Sequence, residues 1–156
     1  MTADFTAVEA AVRQRVGVRL FTVLAWDDGR GELHRVHTSH PREYPTGGEK
    51  AFSREAPWIS QVVVEQQPYI GSDLAAVAAV FSDHELIASL GCGAVINVPV
   101  VDGGATIGVL NLLDAEGSYG DGSVAAALPL AALAVEPLRR WHAEHRAAAG
   151  SDLAPH

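Results

Sequence analysis

The chain has little of what several common chemistries require. Its 156 residues include one cysteine, Cys92, and one lysine, Lys50. A single thiol cannot form an internal disulfide, which points to a reducing compartment and a cytoplasmic protein. Aromatic residues make up only 6 % of the sequence, so the core is expected to be aliphatic. The net charge is −8. Binding to a phosphate backbone or an anionic lipid surface draws on clustered Lys and Arg, so neither nucleic acid nor membrane is an expected partner. An uncharged stretch lies between Asp121 and Glu136 and contains Pro129. At about 14 residues it is shorter than the ~20 needed to cross a bilayer. The opening MTADFTAVEAAVRQRV reads as an amphipathic helix rather than a signal peptide. What is present, 48 % hydrophobic and 19 % charged residues, fits one globular domain. That length is enough to bury about 68–70 % of the unfolded chain's surface.

Apolar residues at Phe5, Val8, Ala11 and Val12 have helical spacing, so residues 4–15 are expected to form a first helix. VRLFTVLAW (18–26), the turn DDGRG and ELHRVHTS (32–39) make a hairpin signal. Residues 40–53 hold two prolines and two glycines and read as a loop. Ser53, with Pro57 after it, opens a helix to about Gln66. A short extended piece at 68–71 follows. Asp73 then caps a helix through Phe81, and Ser82 or Asp83 caps another through Leu90. Strands at 94–101 and 105–113 join at Asp102-Gly103-Gly104. A terminal helix spans about 122–148, kinked or delayed by Pro129. The domain is set at 1–149, with a disordered tail over 150–156.

This order predicts an α+β fold: an antiparallel sheet with the N- and C-terminal helices on one face. The strand at 94–101 is apolar at nearly every position, so both of its faces are expected to be covered. A ligand pocket is expected on the other face, beneath the loops and short helices of 40–90. The terminal helix carries apolar residues on more than one side, which predicts a homodimer through residues 1–15 and 122–146.

Three segments carry a resemblance to a known family: FTVLAWDDGRGELHRV (21–36), WISQVVVEQQPYIGSD (58–73) and INVPVVDGGATIGVLNLLD (96–114). Together they resemble the GAF domain over roughly residues 17–138, the last segment most specifically. The YPTGGEK loop and the DHELIASLGCG run are similar to stand-alone GAF proteins. The resemblance implies a small-molecule-binding fold, and it also implies pairing through the terminal helices. A sensor or metabolite-binding module acting in trans is the expectation that follows. The cyclic-nucleotide signature N-K-x-x-F-x-x-x-D-E is absent. Free methionine-R-sulfoxide reductases of this fold use several cysteines, whereas Cys92 has no second thiol to resolve an oxidised intermediate. No motif asks for a cofactor.

Candidate site residues gather near the expected pocket. Cys92 stands between Gly91 and Gly93, where open backbone would let a thiol meet a ligand; a buried packing cysteine is the alternative. His84 opens the preceding helix beside Asp83, and Gly91 could let the chain fold back to pair His84 with Cys92 as base and nucleophile. In that alternative the protein is a thiol-dependent enzyme acting on a small anionic or polar metabolite. Tyr44, Arg42 and Lys50 offer donors, and Gly47-Gly48 offers free N–H groups for an anion. Trp58, Asp73 and Asp83 complete the expected ligand set, which also includes Cys92. His34, His37 and His40 invite a metal reading, but strand alternation places His34 and His37 on opposite faces, so no metal site is expected.

Overall fold

The computed structural model describes residues 4–46, 49–51, 57–81 and 84–152. Helix α1 (Thr6–Arg15) leads into β1 (Leu20–Asp27) and β2 (Glu32–Thr38), joined by a turn in which the Asp27 carboxylate accepts from the Arg30 amide at 3.2 Å. A short β3 (Glu49–Ala51) pairs with β2, so the stretch expected to be loop contains a strand. Helix α2 (Pro57–Ile59) runs on as a π-helical turn over Ser60–Val64, followed by β4 (Tyr69–Gly71). Helices α3 (Leu74–Val80) and α4 (His84–Ser89) precede the long hairpin of β5 (Ala94–Asp102) and β6 (Ala105–Asp114). The chain closes with α5 (Asp121–Ala127), a 3-10 segment (Leu128–Ala134) and α6 (Val135–Asp152). Pro129 falls at the start of the 3-10 segment, so the expected disturbance takes the form of tighter winding. Helix α6 reaches Asp152, and so includes the first three residues of the expected tail. Residues 153–156 lie outside the described residues.

All strand pairs are antiparallel, in the order β3-β2-β1-β6-β5-β4. This is the expected α+β architecture. Alternation along the central strands sorts side chains into two apolar layers. Phe21, Val23, Ala25, Ile96, Val98, Leu110 and Leu112 face α1 and the terminal helical run, with Val8, Val12, Leu130 and Leu138 packed on them. Leu20, Leu24, Val95, Val109 and Leu113 face the other way, beneath Ile59, Val62, Val77 and Ile87 of the short helices. Pro99 is tolerated within β5 because β4 stops at the Tyr69–Asn97 pair. Beyond that pair β5 is an edge on that side.

The helical run Asp121–Arg146 is 26 residues long, with a mean hydropathy of 1.3 in its most apolar window. By length and composition alone it matches a bilayer span, which the count of uncharged residues did not indicate. Here it lies on the sheet and buries Ala127, Leu130, Ala134 and Leu138. It comes close at Gly108, where a Cβ would stand 2.6 Å from Leu138 Cδ1 and 2.6 Å from the Leu24 carbonyl oxygen. One of those neighbours is backbone and cannot rotate away. Gly108→Ala is therefore expected to lower stability by about 1–3 kcal/mol, as overpacking of a full core does, measured by urea unfolding. A neutral result would show that the sheet and α6 separate more freely than this contact implies.

Candidate functional site

The face opposite the terminal helices is largely apolar, with a polar group at its centre. Thr22, Asn97 and Asn111 sit there on three adjacent strands, each no more than 1 % exposed. Their register is direct, Thr22 opposite Asn111 and Asn111 opposite Asn97. Asn97 Nδ2 donates to Asn111 Oδ1 at 2.6 Å, and Asn111 Nδ2 donates to Thr22 Oγ1 at 3.2 Å. The chain of bonds stops at Asn97 Oδ1, which is buried and has no hydrogen-bond partner among the described residues. An unsatisfied buried acceptor costs about 1–3 kcal/mol, so it marks a place where a donor can be gained. The sequence contained a signal for this trio: a polar side chain amid the apolar run of each of three strands.

Of the expected site residues, the structure brings Tyr44, Trp58 and Cys92 into the apolar layer around this trio. Tyr44 is buried, and the Arg35 guanidinium lies over its ring at 3.5 Å. Arg35 also donates to the Pro45 carbonyl at 2.8 Å, which ties down the end of the 40–46 stretch. Arg42 is exposed. Asp73 acts locally, capping α3 by accepting from the Ala76 amide at 2.9 Å. The backbone places Lys50 on β3, whereas Gly47, Gly48, Ser53 and Asp83 lie outside the described residues.

The thiol is enclosed by its neighbours. Cys92 is 2 % exposed. Burial pushes its pKa up to about 11, with Asp114 adding to the rise and Arg19 opposing it. Among the described residues no hydrogen bond joins Cys92 to His84, which is half-buried at the start of α4. Each flanking glycine has a backbone reason to be one. Gly91 has φ +87° and closes the turn after α4. A Cβ on Gly93 would stand 3.0 Å from the Cβ of Glu116.

The histidines correct an argument from strand alternation. Val23 pairs with His37 and Leu24 with Arg35, so Val36 is an extra residue that bulges from β2. The bulge reverses the alternation, and His34 and His37 emerge on the same face, the one covered by the terminal helices. His37 packs against Phe5 and Phe21, and its Nε2 lies 2.6 Å from Glu9 Oε1. Burial tends to raise the Glu9 carboxyl, but hydrogen bonds from His37 and Arg13 outweigh it and hold the pKa below its ordinary value. His34 packs instead against Trp141 and His145 of α6. His40 turns to the Ser39 hydroxyl.

Known structures share a sheet of this kind between a terminal-helix layer and a layer of short helices. The GAF domain of a two-component sensor histidine kinase from Bacillus halodurans superposes with a TM-score of 0.69 at 12 % identity, covering 90 % of this chain and 95 % of that one. The GAF domain/HD domain protein of Geobacter sulfurreducens gives 0.66 at 14 % identity, covering 86 % and 89 %. The PixJ GAF domain of Thermosynechococcus elongatus, in its blue-light absorbing form, gives 0.63 at 18 % identity, covering 97 % and 92 %. No curated protein matches the sequence. The GAF domain family itself matches residues 6–136, and the chain belongs to that family. GAF domains are small-molecule-binding sensory modules.

Alkylation by iodoacetamide separates a packing thiol from a reactive one. Cys92 is expected to react negligibly in the folded protein up to pH 8.5, the ordinary thiol value, and fully once unfolded. Cys92→Ala should cost about 1 kcal/mol of stability. Rapid labelling of the native protein would restore the nucleophile reading.

Proposed function

We propose that this protein is a sensor or metabolite-binding GAF module whose ligand seats on the sheet face opposite the terminal helices, beneath the 40–90 segment. The observation that carries this reading is the unpartnered Asn97 Oδ1 at the end of a buried polar chain, within a face that is otherwise largely apolar. A small molecule with a donor group and an apolar body matches that arrangement, since ligand sites combine apolar walls with a few placed polar groups. Tyr44 and Trp58 belong to the wall in this reading, and Cys92 packs behind it. Action in trans and a cytoplasmic location belong to the same proposal. The burial of Cys92 and its raised pKa weigh against the enzyme alternative.

The proposal includes a homodimer through the terminal helices. Leu128, Pro129, Ala132 and Leu133 are exposed together, with Leu128 and Leu133 at 42 % and 46 %. Ala127, Leu130 and Ala134 are the residues this run buries on the sheet, which leaves the exposed four as an apolar stripe facing solvent. Such a stripe gains by meeting its own copy across a two-fold axis.

Native mass spectrometry of protein purified from cells tests the ligand. The wild type is expected to carry a small-molecule adduct that Asn97→Leu loses by at least tenfold in occupancy while its circular dichroism stays native. Equal occupancy in the variant, or no adduct in the wild type, would count against the site. Light scattering at micromolar concentration tests the dimer, with an expected mass about twice the 16.4 kDa chain. Leu128→Glu with Leu133→Glu should return it to one chain; a monomeric wild type ends the dimer reading.

A further inference from the structure

Three side chains from distant parts of the sequence converge where the β1–β2 hairpin meets α6, on the face away from the proposed ligand. Asp27 ends β1, His34 stands on β2 and His145 lies on α6. Each offers one ligating atom, and these atoms lie within 4.8 Å of one another. Asp27 Oδ2 is 3.9 Å from His145 Nε2, too far for a hydrogen bond. The two imidazole rings are 5.0 Å apart.

The surroundings hold these groups in place. Trp141 stacks on His145 at 4.5 Å and 13°, and meets the His34 ring at 5.2 Å. His34 is buried, and the Glu32 carboxylate stands 3.4 Å from its Nε2. Outward from Asp27 and His145 the site opens into a cleft of about 530 Å³, whose rim includes Trp26, Asp102, Thr106, Arg139 and His142. Arg139 is tied to Asp102 by two hydrogen bonds of 2.7 Å, and His142 Nε2 lies 2.9 Å from the Ile107 carbonyl oxygen, so both already have partners. The wall of the cleft is therefore fixed around one open side.

We infer that Asp27, His34 and His145 form a binding site for a divalent transition-metal ion of the zinc class, with a fourth coordination position open to the cleft. Two imidazoles and one carboxylate suit zinc and its first-row neighbours, whereas calcium and magnesium favour all-oxygen shells. Zinc ligands sit ~2.0–2.2 Å from the ion. Tetrahedral donors are then about 3.3 Å apart, so the three side chains need to close by about 1 Å. Three protein ligands with one open position is the arrangement that admits water or an exogenous ligand. Glu32, beside His34, is placed to orient that ring as an outer-shell carboxylate. A bound ion would pin α6 to the β1–β2 hairpin across a part of the sheet that α1 does not reach. This inference does not depend on the ligand proposed for the opposite face.

The test is titration of the full chain, first stripped with a chelator, with Zn²⁺ by calorimetry and with Co²⁺ by visible absorption. One ion per chain is expected, with a four-coordinate cobalt spectrum and a raised Tm. Asp27→Asn and His145→Ala should each weaken Zn²⁺ binding at least tenfold and remove the zinc-dependent rise in Tm. His142→Ala, on the same helix, should leave both unchanged. Asp27→Asn keeps the shape of the side chain, so a folding defect in His145→Ala would not decide the outcome. No binding at micromolar Zn²⁺ would overturn the site, as would binding that both ligand variants leave intact.

Discussion

The structure depends on β5 and β6 being buried on both faces at once. Neither strand has a wet side: Ile96, Val98, Leu110 and Leu112 look one way, and Val95, Val109 and Leu113 the other. Such a hairpin is stable only when two separate layers cover it, and the chain supplies them from its ends and from its middle. The ends give α1 and the run from α5 to α6. The middle gives the short helices between β3 and β5. This division gives the two faces different coverings, long helices on one and short pieces on the other.

The polar trio at the centre of the hairpin has meaning only in that setting. In an exposed sheet, Thr22, Asn97 and Asn111 would exchange their bonds with water at little net cost. Between two apolar layers they must satisfy one another, and three side chains in a row leave an end over. That end is Asn97 Oδ1, on the side of the sheet covered by the short helices. A buried polar network raises the stakes of every bond in it, since a missing partner in a low-dielectric core is costly and a completed set is rigid.

Much of the fold was legible in the sequence, for identifiable reasons. The β5–β6 hairpin showed itself through unbroken apolar runs around Asp102-Gly103-Gly104, and α3 through the cap at Asp73. Strand β3 was not legible, because three residues, Glu49–Ala51, carry no periodicity and take their structure from β2. The candidate site was readable only in part. Tyr44, Trp58 and Cys92 do gather on one face, but the thiol's environment is set by packing from other elements. The side of the sheet taken by His34 hinged on one extra residue, Val36, and bulges leave no mark in a pattern of alternation. His145 could not be linked to Asp27 from spacing, since a whole domain of sequence separates them.

The 3-10 winding of Leu128–Ala134 has a mechanical consequence. A 3-10 helix rises ~2.0 Å and turns about 120° per residue, against about 1.5 Å and 100° in an α-helix. Over the length of this segment the difference comes to about 3.5 Å of advance and about 140° of rotation. The segment thus sets the phase of α6: it decides that Leu138 comes down over Gly108 and that Trp141 and His145 turn toward the hairpin. Had the run been α-helical throughout, a different stripe of α6 would meet the sheet. A rewinding of this one segment would act on α6 as the turn of a screw, converting a local change of pitch into a rotation of everything that follows it.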